Sequence, residues 1–208
     1  MSLKITLIVG SPRKNRSCNF LIDKTIEGIK SVSNEIKTNK IFITDYKITP
    51  CTGCDQCLKP PNECPFSKDD DTKKMENELY NSQGLIIAAP NYFGSVSAQI
   101  KALIDRSRPW KMAGYKLKDI IFSPMAASGL RNAGGGVTSD LINFALIQGM
   151  IIVGGLGTPT IEENLAITTL QKYKLKEFLG KDEIDELGGK IAFNQGKRVA
   201  ELILGFKK

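Results

Sequence analysis

Residues 4–19 read KITLIVGSPRKNRSCN, and this stretch decides the fold class. Lys4–Val9 is a short apolar run rich in β-branched residues, which predicts a buried strand that ends at Gly10. Apolar residues at helical spacing follow from Cys18 to Val32 and predict a helix. A strand, a polar loop and a helix in this order indicate the first unit of an α/β protein with a parallel sheet.

Further strands alternate with helices along the chain. The other predicted strands are Lys40–Thr44, Gly84–Ala89, Lys118–Ser123 and Met150–Val153. One further predicted helix ends near Asn81. The others span Ser97–Asp105, Val137–Gln148, Thr168–Phe178 and Gly189–Leu204. This order favours a flavodoxin-like five-stranded parallel sheet with helices on both faces over the larger dinucleotide-binding fold. We expect one domain over residues 1–208, with a cysteine-rich insertion after the second strand (about 45–70) and a C-terminal helical extension (about 156–208).

Composition excludes several classes of function. The net charge is +7, but the basic residues are scattered, so we predict no nucleic-acid partner. Apolar runs fall short of the roughly 20 residues that span a bilayer. The first residues lack the pattern of a signal peptide, and we expect a cytoplasmic protein without membrane contact. The count of histidines is 0, which excludes Cys2His2 zinc sites, Ser-His-Asp and Cys-His catalysis, and haem held by histidine. We predict no catalytic acid or base.

The loop after the first strand offers donors for a phosphate. It lacks the glycine patterns of dinucleotide-binding and P-loop proteins, but it joins a strand to a helix N-terminus, where backbone N–H groups and the helix dipole favour an anion. The predicted phosphate contacts are Ser11, Arg13, Ser17 and Asn19, with Cys18 as a small residue beside them. This donor set suits the phosphate monoester of FMN better than a pyrophosphate. The alternative is an ordinary polar loop with Ser17 as N-cap.

Two more loops follow strands that end at the same edge of the predicted sheet. The third strand leads into Pro90, Asn91, Tyr92, Phe93 and Gly94, where an aromatic pair can meet a flat flavin ring and backbone N–H groups can reach its pyrimidine edge. The fourth strand leads into a glycine-rich loop that contains Ser128, Gly129 and Arg131, and glycine lets backbone approach a ligand closely. The alternatives are a turn with a core Phe and a mobile surface loop.

Four of the 5 cysteines fall in a compact run. Cys51, Cys54, Cys57 and Cys64 follow the pattern C-x2-C-x2-C-x6-C, and Pro65 comes next. An odd cysteine count without a secretion signal argues against disulfides. Zinc ribbons need two separated cysteine pairs, whereas this spacing is typical of iron–sulfur proteins. We predict a [4Fe–4S] cluster on these four residues, and metal-free thiols and structural zinc are the alternatives.

These motifs resemble a known family. The stretch GSPRKNRSCN (10–19) resembles the phosphate loop of the NADPH-dependent FMN reductase superfamily, and APNYFGSVSAQIKALIDR (89–106) resembles its (S/T)PxYFGSxSAxxKxxxDR motif. Arg16, Cys18, Ala89 and Asn91 depart from the usual residues. With the cysteine run after the second strand, residues 3–155 resemble the iron–sulfur flavoproteins of archaea and anaerobic bacteria.

The resemblance implies an oxidoreductase that couples FMN to a [4Fe–4S] cluster. It implies electron exchange with a ferredoxin-like protein or NAD(P)H, and a homodimer or homotetramer in which the cluster of one subunit lies near the flavin of another. One alternative is an NAD(P)H-dependent FMN or quinone reductase without a cluster. The other is not an enzyme, but a flavodoxin-like carrier or a zinc-stabilised binding module.

Overall fold

The structure is a computed structural model that describes residues 3–129, 134–154, 167–168 and 186–206. The strands are β1 (Lys4–Val9), β2 (Lys37–Phe42), β3 (Gly84–Pro90), β4 (Ile121–Ala127), β5 (Ile151–Ile152) and β6 (Ile167–Thr168). The helices are α1 (Ser17–Val32), α2 (Thr72–Tyr80), α3 (Ala98–Arg106), α4 (Arg108–Met112), α5 (Gly135–Gln148) and α6 (Glu186–Gly205). Short 3-10 turns lie at Ile43–Asp45, Gln56–Leu58 and Pro65–Lys68.

The sheet is parallel and has the strand order β2-β1-β3-β4-β5. This is the flavodoxin-like order, so the predicted fold class is confirmed. The two-residue strand β6 also pairs with β4, at Ala126 and Ala127. The strand order reverses between β1 and β3, and ligands of such sheets bind outside the carboxyl ends of the strands at this point.

Alternate residues of the strands face two hydrophobic layers, as parallel strands with helices on both faces require. Ile8, Leu85 and Ile87 pack with α2, α3, α4 and α5 on one face. Leu7 and Ile86 pack with α1 and α6 on the other. All these strand residues are fully buried, so the sheet is a rigid platform for the loops at its edge.

Some strand bounds differ from the predictions. The second strand begins at Lys37 rather than Lys40, because β2 is an edge strand and its polar start pairs with β1 in register. The fourth strand is shifted from Lys118–Ser123 to Ile121–Ala127, since Asp119 takes a left-handed φ of 64° in a turn before it. We expect the glycine-rich loop after this strand to span Ala126–Gly136. Its first two residues belong instead to β4, and its last two belong to α5.

The C-terminal part of the chain is described only in pieces. Thr168, the first residue of the predicted helix Thr168–Phe178, lies in β6, and residues 169–178 lie outside the described residues. The last predicted helix is present as α6. Among the described residues, no helix has the length and apolar character needed to cross a membrane.

Candidate functional site

The first loop is fixed by contacts at its start. Ser11 is buried, and its Oγ accepts a hydrogen bond of 3.1 Å from the backbone N–H of Arg13. The carbonyl of Gly10 accepts a 2.8 Å hydrogen bond from Ser97 Oγ at the start of α3. These bonds fix the first residues of the loop against the start of α3.

The N-terminus of α1 is open to an anion. Its N-cap is Arg16, not Ser17, and the Arg16 side chain makes no capping hydrogen bond. The first intrahelical bond runs from the N–H of Phe20 to the carbonyl of Arg16. The N–H groups of residues 17–19 precede it and have no partner within the helix, as at any helix start. The first turn also has no acidic residue, so nothing in it competes with a bound phosphate.

A cavity of about 180 Å³ joins the three predicted loops at the carboxyl edge of the sheet. Its lining contains most of the predicted FMN contacts, namely Ser11, Arg13, Ser17, Cys18, Pro90, Asn91, Tyr92, Ser128 and Gly129. Arg16 and Ala127 also line it, and sequence reasoning did not assign them. The sequence does carry a signal for Arg16, because this residue departs from the usual residue of the family loop. It carries none for Ala127, because the predicted fourth strand ends at Ser123 whereas β4 extends to Ala127.

The β3 loop makes a tight turn that presents an aromatic side chain. Tyr92 and Ser95 exchange backbone hydrogen bonds of 2.9 and 3.3 Å across the turn. Phe93 and Gly94 between them have φ values of 54° and 94°, and a left-handed φ is unusual for a bulky residue. Phe93 is fully exposed, so this backbone is not maintained by burial of its ring. Strained exposed residues of this kind concentrate at ligand sites.

Asn91 links the β3 and β4 loops. Its backbone N–H donates to the Ala127 carbonyl at 2.7 Å, and its Nδ2 donates to Ser128 Oγ at 3.3 Å. Its Oδ1 accepts from the N–H of Gly94 at 2.9 Å. The start of α5 presses on the same turn, since a Cβ added at Gly136 would lie 2.1 Å from the Gly94 carbonyl oxygen. The two loops therefore form one packed unit.

The remaining predicted flavin contacts are placed differently. Asn19 is not in the cavity lining, because its Nδ2 donates to Asp23 Oδ2 at 2.9 Å along the helix. Phe93 and Gly94 lie beside the cavity on the exposed turn, and Arg131 lies outside the described residues. Burial raises the pKa of the Cys18 thiol to about 12, against a smaller opposite effect of Arg13, so this side chain is a neutral core group.

The four clustered cysteines line a second, separate cavity of about 20 Å³. Gly53 and Asp55 take left-handed φ values of 69° and 57°, which turn the chain between the cysteines. The N–H of Gly53 donates to Cys51 Sγ at 3.4 Å, and backbone donors to sulfur are a feature of iron–sulfur sites. Burial raises the pKa of the Cys57 thiol, while the nearby Arg108 guanidinium opposes this effect.

A buried ion pair closes the cysteine loop at its base. Arg106 Nη1 donates to Asp70 Oδ2 at 2.6 Å and to the carbonyl and Oγ1 of Thr49 at 2.9 and 2.7 Å. The side chains of Arg106 and Asp70 are 1% and 0% exposed. The backbone of Asp71 also donates to the Lys47 carbonyl at 2.8 Å. We call Arg106, Asp70 and Thr49 the loop clamp; it holds together the segments before Cys51 and after Cys64.

The chemistry of the donor set fits an iron–sulfur cluster. All four clustered cysteines line one small space, and soft thiolates are the ligands that such clusters take. Within the described part of the chain, no three His, Cys, Asp or Glu side chains converge on a position that could hold a single metal ion.

Comparisons with known proteins identify the family of the chain. The sequence model of the family described as NADPH-dependent FMN reductase matches residues 3–160. An iron–sulfur flavoprotein of Archaeoglobus fulgidus is 34% identical over 97% of this chain and 94% of its own length. An iron–sulfur flavoprotein of Methanocaldococcus jannaschii is 34% identical over 99% of this chain and 100% of its own length.

Solved structures support the fold. A flavodoxin, WrbA-like protein of Agrobacterium tumefaciens superimposes with a TM-score of 0.60 at 15% identity, covering 99% of each chain. A structure described as flavone reductase gives a TM-score of 0.69 at 16% identity, covering 99% of this chain and 64% of that one. Together with the family match, these findings show that the chain belongs to the iron–sulfur flavoproteins of the NADPH-dependent FMN reductase family and is a flavin-dependent oxidoreductase whose flavin is FMN.

Proposed function

We propose that this protein binds a [4Fe–4S] cluster through Cys51, Cys54, Cys57 and Cys64, and that it passes electrons between this cluster and FMN. A ferredoxin-like protein or NAD(P)H is the proposed outside donor or acceptor. The observation that carries the proposal is the placement of all four cysteines around one cavity, in a chain with a separate phosphate-type cavity at the sheet edge. The names of the relatives support it.

The FMN phosphate is assigned to the first loop. Ser11 Oγ, the Arg13 guanidinium and the Ser17 hydroxyl would donate to it, together with the free N–H groups at the start of α1. Arg16 lines the same cavity and adds a second positive charge. Cys18 contributes only its backbone N–H, because its thiol is buried in the core. Asn19 remains a predicted contact whose amide would have to leave Asp23.

The flavin ring is assigned to the two linked loops. Pro90, Asn91 and Tyr92 line the cavity from β3, and Ser128 and Gly129 line it from β4. Phe93 and Gly94, on the strained turn, would cover an edge of the ring, and Arg131 remains a predicted contact. The cavity is smaller than the roughly 300–1,000 Å³ of most ligand sites, so part of the ring would extend over the exposed turn.

FMN supplies transfer of two electrons or of one, and an iron–sulfur cluster supplies transfer of one. The described residues would position these groups for transfer. The loop clamp fixes the cysteine segment against α3, and the Asn91 contacts fix the flavin loops. A rigid frame suits electron transfer because little has to move when an electron arrives.

We also propose a homodimer or homotetramer. A groove of about 410 Å³ lies beside the cysteine loop and includes Cys51, Ile104, Phe144 and Ile147. Leu146 and Ile147 on α5 are 61% and 56% exposed. An exposed apolar strip next to the cysteines supports an interface there. Sedimentation velocity of the wild type and of Ile147→Glu tests it, and a monomeric wild type would exclude it.

A single cysteine substitution tests the proposed function. In Cys57→Ser, the broad visible absorption of the cluster and its iron should be lost, while FMN remains bound, because the two cavities are separate. Ser67→Ala is the matched control: it removes a side-chain hydroxyl of the same loop that lines neither cavity, and it should retain both cofactors. Electron transfer to ferredoxin should fail in Cys57→Ser. Full transfer by the iron-free variant would favour a family reductase without a cluster.

A further inference from the structure

Arg106 lines the cavity of the cysteines and has one nitrogen that the loop clamp does not use. Nη1 makes three hydrogen bonds to the clamp, and Nη2 donates to Asp70 Oδ1 at 3.4 Å. Nε is buried and has no hydrogen-bond partner among the described residues. The side chain is 1% exposed, so bulk water does not reach the group. A buried donor without an acceptor lowers the stability of the folded protein, so an unpaired N–H at this position indicates that an acceptor is missing beside it.

The other walls of this cavity include the four cysteines, Arg108 and the carboxylates of Asp55 and Asp105. Both carboxylates already have a partner, since Asp55 accepts from Arg108 at 2.6 Å and Asp105 accepts from Lys101 at 2.5 Å. Sulfur is therefore the acceptor that predominates around the space beside Arg106. We propose that Arg106 Nε donates a hydrogen bond to a sulfur of the cluster or of one of its cysteine ligands, and that this bond raises the reduction potential of the cluster. The inference rests on the proposed function, since it requires the cluster.

The direction of the effect follows from charge. Reduction adds negative charge to the sulfurs, so a donor hydrogen bond from a cation stabilises the reduced form more than the oxidised form. The Arg106 charge is balanced by Asp70 at 2.6 Å, so the directed N–H bond, rather than net charge, distinguishes the residue. Arg108 also lines the cavity, but its side chain is 41% exposed and pairs with Asp55 at 2.6 Å. Water screens that exposed charge.

Arg106 is therefore a positioning residue with a second role in setting the potential. The variant Arg106→Lys retains a positive charge for Asp70 but has no Nε donor. Its cluster should show a fall of about tenfold in the equilibrium constant for reduction, equivalent to about 59 mV for one electron. Arg108→Gln is the control and should change the potential less. Potentials are read from anaerobic titrations followed by visible absorption and electron paramagnetic resonance.

A second measurement is made on protein that keeps Arg106, so that the inference can still be tested if Arg106→Lys does not fold. Arg108→Gln protein carrying ¹⁵N-arginine is reduced, and pulsed electron paramagnetic resonance detects nitrogen nuclei that couple to the cluster spin. A ¹⁵N coupling that disappears in the Arg106→Lys, Arg108→Gln double variant is expected. An unchanged potential in Arg106→Lys together with no arginine coupling would overturn the inference. Protein without iron would overturn the proposed function as well, so the two failures are distinguishable.

Discussion

Replacement of Asp70 by Asn tests whether the loop clamp stabilises the protein. The substitution keeps the shape of the side chain but leaves the Arg106 charge buried without its counter-ion. Removal of one partner from a buried ion pair costs about 3–5 kcal/mol. The melting temperature of a domain of this size falls by about 2–4 °C per kcal/mol, so we expect a decrease of about 6–20 °C.

The pH dependence gives a second readout of the same pair. Burial alone raises the pKa of Asp70, but hydrogen bonds from Thr72 and Thr49 outweigh burial and hold this pKa well below its usual range. The folded pKa is lower than the unfolded value of about 3.9, so the ionised carboxylate contributes its full stabilisation above that pH. The stability difference between wild type and Asp70→Asn should therefore be constant near neutral pH and shrink below about pH 4.

The assay is urea and thermal denaturation of both proteins with FMN bound. Glu27→Gln is the matched control, because Glu27 pairs with Lys24 on the surface, where the side chains are 54% and 37% exposed. An exposed pair contributes about 0–1 kcal/mol. If Asp70→Asn is no less stable than Glu27→Gln, the description of the clamp is wrong.

Three further predictions concern the flavin loops and the core. Gly136→Ala places a methyl group 2.1 Å from the Gly94 carbonyl oxygen, so it should cost about 1–3 kcal/mol in a thermal melt and weaken FMN binding in a fluorescence titration. Arg13→Gln removes a charge-assisted bond worth about 1.5–3 kcal/mol and should raise the FMN Kd about tenfold to a hundredfold. Riboflavin, which has no phosphate, should bind the two proteins equally. Cys18, with its pKa raised by burial to about 12, should resist iodoacetamide at pH 8 in the native protein and react after denaturation, as read by peptide mass spectrometry.

The fold was largely predictable because its central strands are apolar and short. Lys4–Val9 was predicted with the bounds that the structure has, since its apolar run is buried on both faces and ends at Gly10. The error at β4 has a physical cause: Pro124 within an apolar run argues against a central strand. Among the described residues, β5 pairs with β4 at Ile121 and Phe122, before Pro124, and β6 pairs with β4 at Ala126 and Ala127, after it. Pro124 has no N–H to donate, but no described strand pairs with it on this edge of β4, so no hydrogen bond of the sheet is lost there.

The candidate site was predictable only in part. The spacing of the cysteines and the order of the loops along the chain can be read from the sequence. In the structure, the four cysteines line one cavity and residues of the three loops line another. The loop clamp was not predictable, because Arg106 and Asp70 are 36 positions apart and meet only in the folded chain. The orientation of Asn19 toward Asp23 was missed for a different reason: a helical side chain can turn along its own helix instead of toward the loop.

The most direct test of the central claim is quantitative analysis of iron, acid-labile sulfide, zinc and FMN in protein purified without oxygen. We expect about four iron atoms, about four sulfides and about one FMN per chain, with zinc absent. Stoichiometric zinc, or FMN without iron and sulfide, would contradict the assignment of the four cysteines to a cluster.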